Sequence, residues 1–273
     1  MAPVETHGID APVDALGQLI ATSLTFCLAV VALVWVLGIC TRERITWPLL
    51  VLLGGLLTCL LEPLFDHLYG LWFFEEGQWN LYTTFGSAQP IWVPPAYLAF
   101  YGGAAIFIVR ALQARPTMAT VWRMYWAIVA VAIIAEMTYV SVLRVYSYQD
   151  SQPFVVFGYP IFLGFTNAMS ALVGGILIYR LLPFLRGLAG TLALLSIIPG
   201  AFAMGLFGTG ILYLSVRHSV DEPNMLLVHL AALTLVGGIA ATVRLLGHVL
   251  VVGSSAEVMP SRPRFVDSDD TGN

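Results

Sequence analysis

Seven apolar stretches, each long enough to cross a bilayer, leave this sequence few ways to fold. A spanning helix needs ~20 consecutive, mostly apolar residues. Such runs occupy 16–40, 46–64, 92–112, 121–142, 159–181, 187–215 and 225–251. Only 10% of the 273 residues are charged, where a soluble domain carries roughly 25%. That is too little polar surface to cover a water-soluble globule. Lipid is the expected solvent for most of the outside, and helices that close their own backbone hydrogen bonds are the expected spanning elements. The expected fold class is all-α, a polytopic membrane bundle of about seven transmembrane helices. Glu136 and Asn167 interrupt the fourth and fifth runs, and the glycine-rich sixth, around Gly200 to Gly210, invites a kink, a tilt or close helix approach.

Arginine sets the orientation. Arg42, Arg44, Arg110, Arg115, Arg123, Arg180, Arg186, Arg244, Arg262 and Arg264 fall on one side of the predicted bundle, and only Arg144 and Arg217 on the other. The positive-inside rule puts the richer side in the cytoplasm. Residues 1–15 are then an extracytoplasmic segment, 16–251 the membrane domain, and 252–273 a polar, disordered cytoplasmic tail. The first fifteen residues hold Glu5, Asp10 and Asp14 but no base, unlike the positive start of a cleaved signal peptide. The longest loop, 65–91 on the outer side, carries Trp72, Phe73, Phe74, Trp79, Tyr82 and Phe85 among few charges. It is too aromatic for a solvated linker and is expected to pack on the bundle or lie in the interface.

Composition also closes off several chemistries. There is no lysine, so a retinal Schiff base within a seven-helix bundle is impossible. No basic cluster suggests nucleic acid. Cys27, Cys40 and Cys59 lie in apolar runs without metal-ligand spacing and read as small hydrophobes. No phosphate-binding loop or nucleophile elbow is present, and no metal or cofactor is expected. No internal repeat of the kind that builds paired-half transporters is evident.

Ionisable groups inside spans are costly, ~2.5–3.5 kcal/mol on insertion scales, and usually face the bundle interior. Here they gather in the outer half. Glu62 ends the second run, and Asp66 follows on the same helical face if the helix continues. Pro63 between them removes the helical partner of the Cys59 carbonyl. Glu136 sits in an otherwise apolar stretch, and His229 lies about one turn inside the seventh run. Two nearby acids in a poorly hydrated pocket cannot both ionise cheaply. One then keeps a proton to donate, while its neighbour accepts a proton or stabilises a developing cation. Glu62, Asp66 and Glu136 are the candidate catalytic groups, and Glu62 and Glu136 are expected to share a cavity open outward. The plainer alternatives are a wet helix end for Glu62 and Asp66, an ion pair with Arg144 for Glu136, and a helix contact for His229. Trp72, Tyr82, Trp92, Tyr146, Asn167 and His229 are candidate substrate-binding residues, although an interfacial aromatic belt also accounts for most aromatics on this side, Tyr97, Tyr148 and Tyr159 included.

Three stretches carry a resemblance. They are Leu61-Glu-Pro-Leu-Phe-Asp66 running into Gly70-Leu-Trp72; Thr84-Phe-Gly, Pro90-Ile-Trp-Val and Tyr97-Leu-Ala-Phe-Tyr-Gly-Gly103; and Val145-Tyr-Ser-Tyr-Gln-Asp-Ser-Gln-Pro153 with Phe157-Gly-Tyr-Pro160. Together, over about residues 60–180, they resemble the avermectin spirocyclase (AveC-like) family of bacterial membrane proteins. The resemblance implies a bacterial cytoplasmic membrane and a cyclase, spiroketal-forming or dehydrating, acting on a lipophilic polyketide-type natural product without a redox cofactor. No catalytic set transfers with it, but Glu62, Pro63 and Asp66 fall inside the shared pattern. Chemistry agrees, since such closures need an acid, a base and a dry, shaped cavity. A membrane terpene cyclase, a non-catalytic binding or transport protein and a structural subunit of a membrane complex are the competing readings. Protein partners are unspecified by the sequence.

Overall fold

The computed structural model of the chain describes residues 11–149, 152–220 and 223–252. Residues 1–10 of the expected outer N-terminal segment and 253–273 of the expected cytoplasmic tail lie outside the described residues. Seven helices are long and apolar enough to cross a membrane: Ala15–Glu43, Trp47–Tyr69, Val93–Ala114, Met118–Leu143, Phe162–Phe184, Gly187–Gly208 and Met225–Val252, spans one to seven. The protein is an all-α, multi-pass membrane bundle. Local chemistry fixes several boundaries. Asp14 caps span one by accepting from the Gly17 N–H at 2.7 Å, Thr117 caps span four through the Thr120 N–H at 3.1 Å, and Arg44 closes span one in the left-handed region. Large apolar side chains such as Val31, Val34, Ile134 and Leu226 cover the outside, as a lipid solvent requires.

Three boundaries differ from the hydropathy reading. Span two continues to Tyr69 rather than stopping near 64. Its helix tightens into one 3₁₀ turn at Cys59–Leu61 and restarts at Glu62, with Pro63 in the first turn, where a missing N–H costs nothing. Asp66 is therefore helical, and the left-handed Gly70 ends the span. Span five begins at Phe162, not 159, because Tyr159–Pro160 pairs as a strand. Span six stops at Gly208, and Ile211–Arg217 is a separate short helix. Of its glycines, Gly205 lies against Ser170 and Thr166, whereas Gly200 faces open space.

Small antiparallel sheets cluster at one end of the bundle, called here the strand end. The chain leaving span two forms β1 (Leu71–Phe73), which pairs with β4 (Tyr146–Tyr148), the chain leaving span four. β2 (Asn80–Thr84) and β3 (Ser87–Pro90) make a hairpin turning at Phe85 and Gly86, both with positive φ. β5 (Val155–Val156) and β6 (Tyr159–Pro160) precede span five. The 65–91 segment is thus one helical turn, a strand and a hairpin packed on the bundle. Gln18 of span one holds it, donating to the Gly77 carbonyl at 3.1 Å and accepting from the Trp79 N–H at 2.6 Å.

Span five is the hub, 83% buried along its apolar window, and packs on spans three, four, six and seven. Span two packs on spans three and six, while span one, 11% buried, lies against spans two and three and the strand end of span four. The described arginines sort as the sequence suggests. Arg42, Arg110, Arg123, Arg180 and Arg244 mark one end of the spans, the arginine end, and Arg144 and Arg217 lie at the strand end.

Candidate active site

Spans two and three cross backbone to backbone. A Cβ on Gly55 would lie 2.5 Å from the Gly102 nitrogen, and one on Gly102 would lie 2.9 Å from the Leu52 Cα. Only glycine permits that approach. Span three is π-helical from Leu98 to Gly103, a widened turn that redirects the residues before it. The crossing sets the strand end of span two beside Tyr97, whose hydroxyl donates to Glu62 Oε2. One turn further, Tyr101 donates to Asn167 Oδ1 of span five at 3.0 Å.

Glu136 reaches the same place from span four. Arg144 turns the chain in the left-handed region, and β4 runs back along the helix end. Its period of two points Tyr146 and Tyr148 to one side. Tyr146 donates to Glu136 Oε2 at 2.5 Å, and Tyr148 makes a long contact of 3.4 Å to the same oxygen. Burial, reinforced by the neighbouring Glu136 carboxyl, holds both phenols well above their ordinary range, so they stay protonated donors. Arg144 is exposed, and Glu136 makes no ion pair with it. Among the described residues the one salt bridge joins Glu43 to Arg110 at the arginine end. Among these residues Glu62, Asp66 and Glu136 have no cationic partner.

Glu62 and Glu136 line a single cavity of about 310 Å³, at the lower end of the ~300–1,000 Å³ usual for small-molecule sites. Its wall is aromatic: Phe65 from span two, Tyr97, Phe100 and Tyr101 from span three, and Tyr139 from span four, with Trp92 and Tyr146 at the strand end. Trp92 stacks on Tyr139 with rings 5.0 Å apart and 4° from parallel. The second oxygen of each glutamate takes no hydrogen bond from the described residues. Each carboxyl is therefore held by one oxygen, while the other is free to meet a ligand.

Asp66 sits behind this wall. It is fully buried and accepts from Ser87 at 2.7 Å and Gln89 at 2.6 Å, neighbours two apart on one face of β3. It does not line the cavity, but Glu62 lies within its electrostatic reach, and Glu136 within that of both. The freed Cys59 carbonyl finds Tyr82, whose hydroxyl donates to it at 3.0 Å.

The structure thus brings together Glu62, Glu136, Trp92, Tyr146 and Asn167 on one cavity, with Asp66 behind. It does not bring Trp72, Tyr82 or His229 there. Trp72 meets His67 edge to face, Tyr82 supports span two, and His229 bonds the Met225 carbonyl of its own helix while Phe154 packs against its ring. Sequence reasoning left Tyr97 in the aromatic belt and passed over Tyr101. Their spacing of four, which puts both on one helix face, was the signal. Among the described residues no group of three or more His, Cys, Asp or Glu side chains is arranged to hold a metal ion. Comparison with protein-family models, with curated proteins and with solved structures finds no match.

Proposed function

We propose that this protein is a membrane-embedded cyclase that acts on a lipophilic, oxygenated small molecule through carboxyl acid–base chemistry. One observation carries the reading: two glutamates from different spans face one aromatic-walled cavity, each anchored by a tyrosine on one oxygen and unpaired with any cation among the described residues. Two carboxyls lining one aromatic-walled cavity are favoured when one keeps its proton. One then carries a proton at the free oxygen and the other does not, which is the pairing that ring closure uses.

In a spiroketal-type closure, the ionised carboxylate takes the proton of an attacking substrate hydroxyl as its oxygen bonds to the hemiketal carbon. The protonated carboxyl gives its proton to the hemiketal hydroxyl, whose carbon–oxygen bond breaks so that it leaves as water. The hydroxy-hemiketal becomes a spiroketal plus one water, and the two carboxyls have exchanged protonation states. Asp66, held by Ser87 and Gln89, acts here as a positioning group behind Glu62. The aromatic faces stabilise the oxocarbenium character of the closing carbon. The stretches that resemble the avermectin spirocyclase-like family supply Glu62, Trp92, Tyr97, Tyr101 and Tyr146 to this wall, which supports the same chemistry. The seven-ring aromatic lining also favours a second reading, a terpene cyclase in which a protonated glutamate starts a carbocation cascade. Transport is disfavoured because buried acids and bases stop at the strand half of the bundle among the described residues.

The arginine balance supports placing the strand end outside the cytoplasm, and the family resemblance supports a bacterial cytoplasmic membrane. A reporter fused after Asn273 is expected to be active only in the cytoplasm, and an exterior signal would reverse the orientation. Activity is tested by comparing extractable metabolites of a deletion strain, its parent, and strains complemented with wild-type, Glu62→Gln or Glu136→Gln protein. An acyclic precursor accumulating in the deletion and in both variants, with variant protein at normal membrane levels, supports the cyclase. Full complementation by both variants rejects it.

A further inference from the structure

The cavity is shut at the strand end and thinly walled toward the lipid. At the strand end, Trp92, Tyr146 and Phe73 are buried, and their rings pack on one another and on Tyr139 under the β1–β4 ladder. This closes the outward opening that the sequence suggested. The lining residues with large exposure are elsewhere: Leu28 of span one, 48% exposed, and Val131 of span four, 56% exposed. Both belong to the lipid-facing surface.

Their depth is set by helix geometry. Leu28 lies thirteen residues into span one and Val131 twelve before the end of span four, each ~20 Å from the strand end at ~1.5 Å per residue. Span one has 29 residues, ~43 Å of helix against a ~30 Å hydrocarbon core. Allowing for the overhang, both residues fall near the bilayer midplane. Spans one and four touch intimately at the strand end, where a Cβ on Gly17 would overlap the Leu143 carbonyl oxygen at 1.8 Å. Their principal packing is confined to that end of span four. Toward the midplane they part, and Thr25 and Leu28 of span one and Val131, Ala132 and Ala135 of span four all line the cavity.

We propose that the gap between spans one and four is a lateral portal, through which the oxygenated end of a bilayer-dissolved substrate reaches Glu62 and Glu136 while its apolar remainder stays in lipid. The inference rests on the cavity being the reaction site proposed above, and it names the substrate class: a molecule longer than the cavity, polar at the reacting end and hydrocarbon elsewhere. A cavity of about 310 Å³ encloses a small ring system but not a long polyketide. A side opening lets part of such a molecule react without the whole being engulfed. It also returns a cyclised, less polar product to the phase in which it dissolves.

The test uses full-length protein in phospholipid nanodiscs and two photoreactive probes: a long-chain alkyl diazirine alcohol dissolved in the bilayer, and a charged, membrane-impermeant diazirine in the buffer. Labelled peptides are mapped in wild type, in a Leu28→Trp/Val131→Trp double variant, and in a Val30→Trp control whose ring points elsewhere around the same helix. Both altered positions face lipid, where tryptophan is tolerated, and thermal melting reports the fold of each variant. The lipid-dissolved alcohol is expected to label Glu62 and Tyr97 in wild type and control and to drop about tenfold in the double variant, equivalent to ~1.4 kcal/mol of added cost. The charged probe should leave both unlabelled. Cavity labelling from the aqueous side, undiminished labelling in the folded double variant, or no cavity labelling from lipid would each overturn the portal. The two proposals fail separately. Portal-dependent labelling together with unchanged metabolites removes the cyclase and keeps the portal, and a precursor that accumulates while labelling comes from water does the reverse.

Discussion

Toward the arginine end, spans three and five meet through Ala105, Ile106, Ile108, Ala171 and Leu172, none with any exposed surface, and Gly175 lets Ile108 pack against the span-five backbone. Toward the strand end the same two helices carry Tyr101 and Asn167, joined by a hydrogen bond beside a cavity. The first region has no buried acid or base among the described residues, and the second holds Glu62, Asp66 and Arg217. Dense apolar packing gives a membrane bundle one rigid arrangement. Polar groups and empty volume do the opposite, and a protein keeps them in lipid where they serve a purpose. The contrast assigns stability to one half of the bundle and reactivity to the other.

The strongest attempt to break that division is at the carboxyls. Glu62→Gln and Glu136→Gln should each lower turnover by ~10²–10⁴-fold, the usual weight of a positioned acid or base, with membrane levels and melting temperature unchanged. A variant that unfolds instead would make the glutamates structural. Next come the hydroxyls that orient them. Tyr97→Phe and Tyr146→Phe remove a hydrogen bond to a carboxyl worth ~1.5–3 kcal/mol, and are expected to slow turnover by roughly 10–100-fold. Single-turnover rates on the accumulated precursor measure this, and an unchanged rate would leave the tyrosines as mere packing.

Glycine contacts sharpen the same comparison. A Cβ on Gly175 would lie 2.7 Å from Ile108 Cβ, so Gly175→Leu should lower stability by ~1–3 kcal/mol through overpacking while the folded fraction stays active. Gly55→Ala pushes the span two–three crossing apart, and should lower stability and also activity, because Glu62 moves relative to Tyr97. Melting curves and specific activity, read together, separate the two. The smallest effect is with pH. The folded state holds the phenol protons of Tyr146 and Tyr148 above the ordinary value of 10.0, whereas the unfolded chain releases them near it. Their contribution is complete below pH 10 and is lost as pH rises beyond it. A Tyr146→Phe/Tyr148→Phe variant should therefore lose less melting temperature than wild type above pH 10 and show no difference in slope between pH 7 and 9.

Of the candidate site, the glutamates were legible because an acid in an apolar helix stands out against its neighbours. Trp92, Tyr146 and Asn167 were legible for a similar reason, as aromatic or polar groups near span ends. Tyr97 was not, since an aromatic at the membrane boundary looks the same whether it faces lipid or a carboxyl. Trp72, Tyr82 and His229 met the same criteria and went elsewhere. The 65–91 segment read as an aromatic loop, and its strands were hidden because β1 finds its partner β4 more than seventy residues later.

The sequence by itself determined the solvent, the seven spans and the half of the bundle that holds the acids, because hydropathy and proline or glycine breaks act within a few consecutive residues. Tertiary structure alone decided that Glu62 and Glu136 share a cavity, that Asp66 stands behind it, and that the cavity is thin toward lipid rather than open outward. Those facts depend on how each helix is rotated and where it crosses the next. Contacts such as Gly55 on Gly102 and Gly17 on Leu143 set that rotation, and neither partner's own sequence reveals the other.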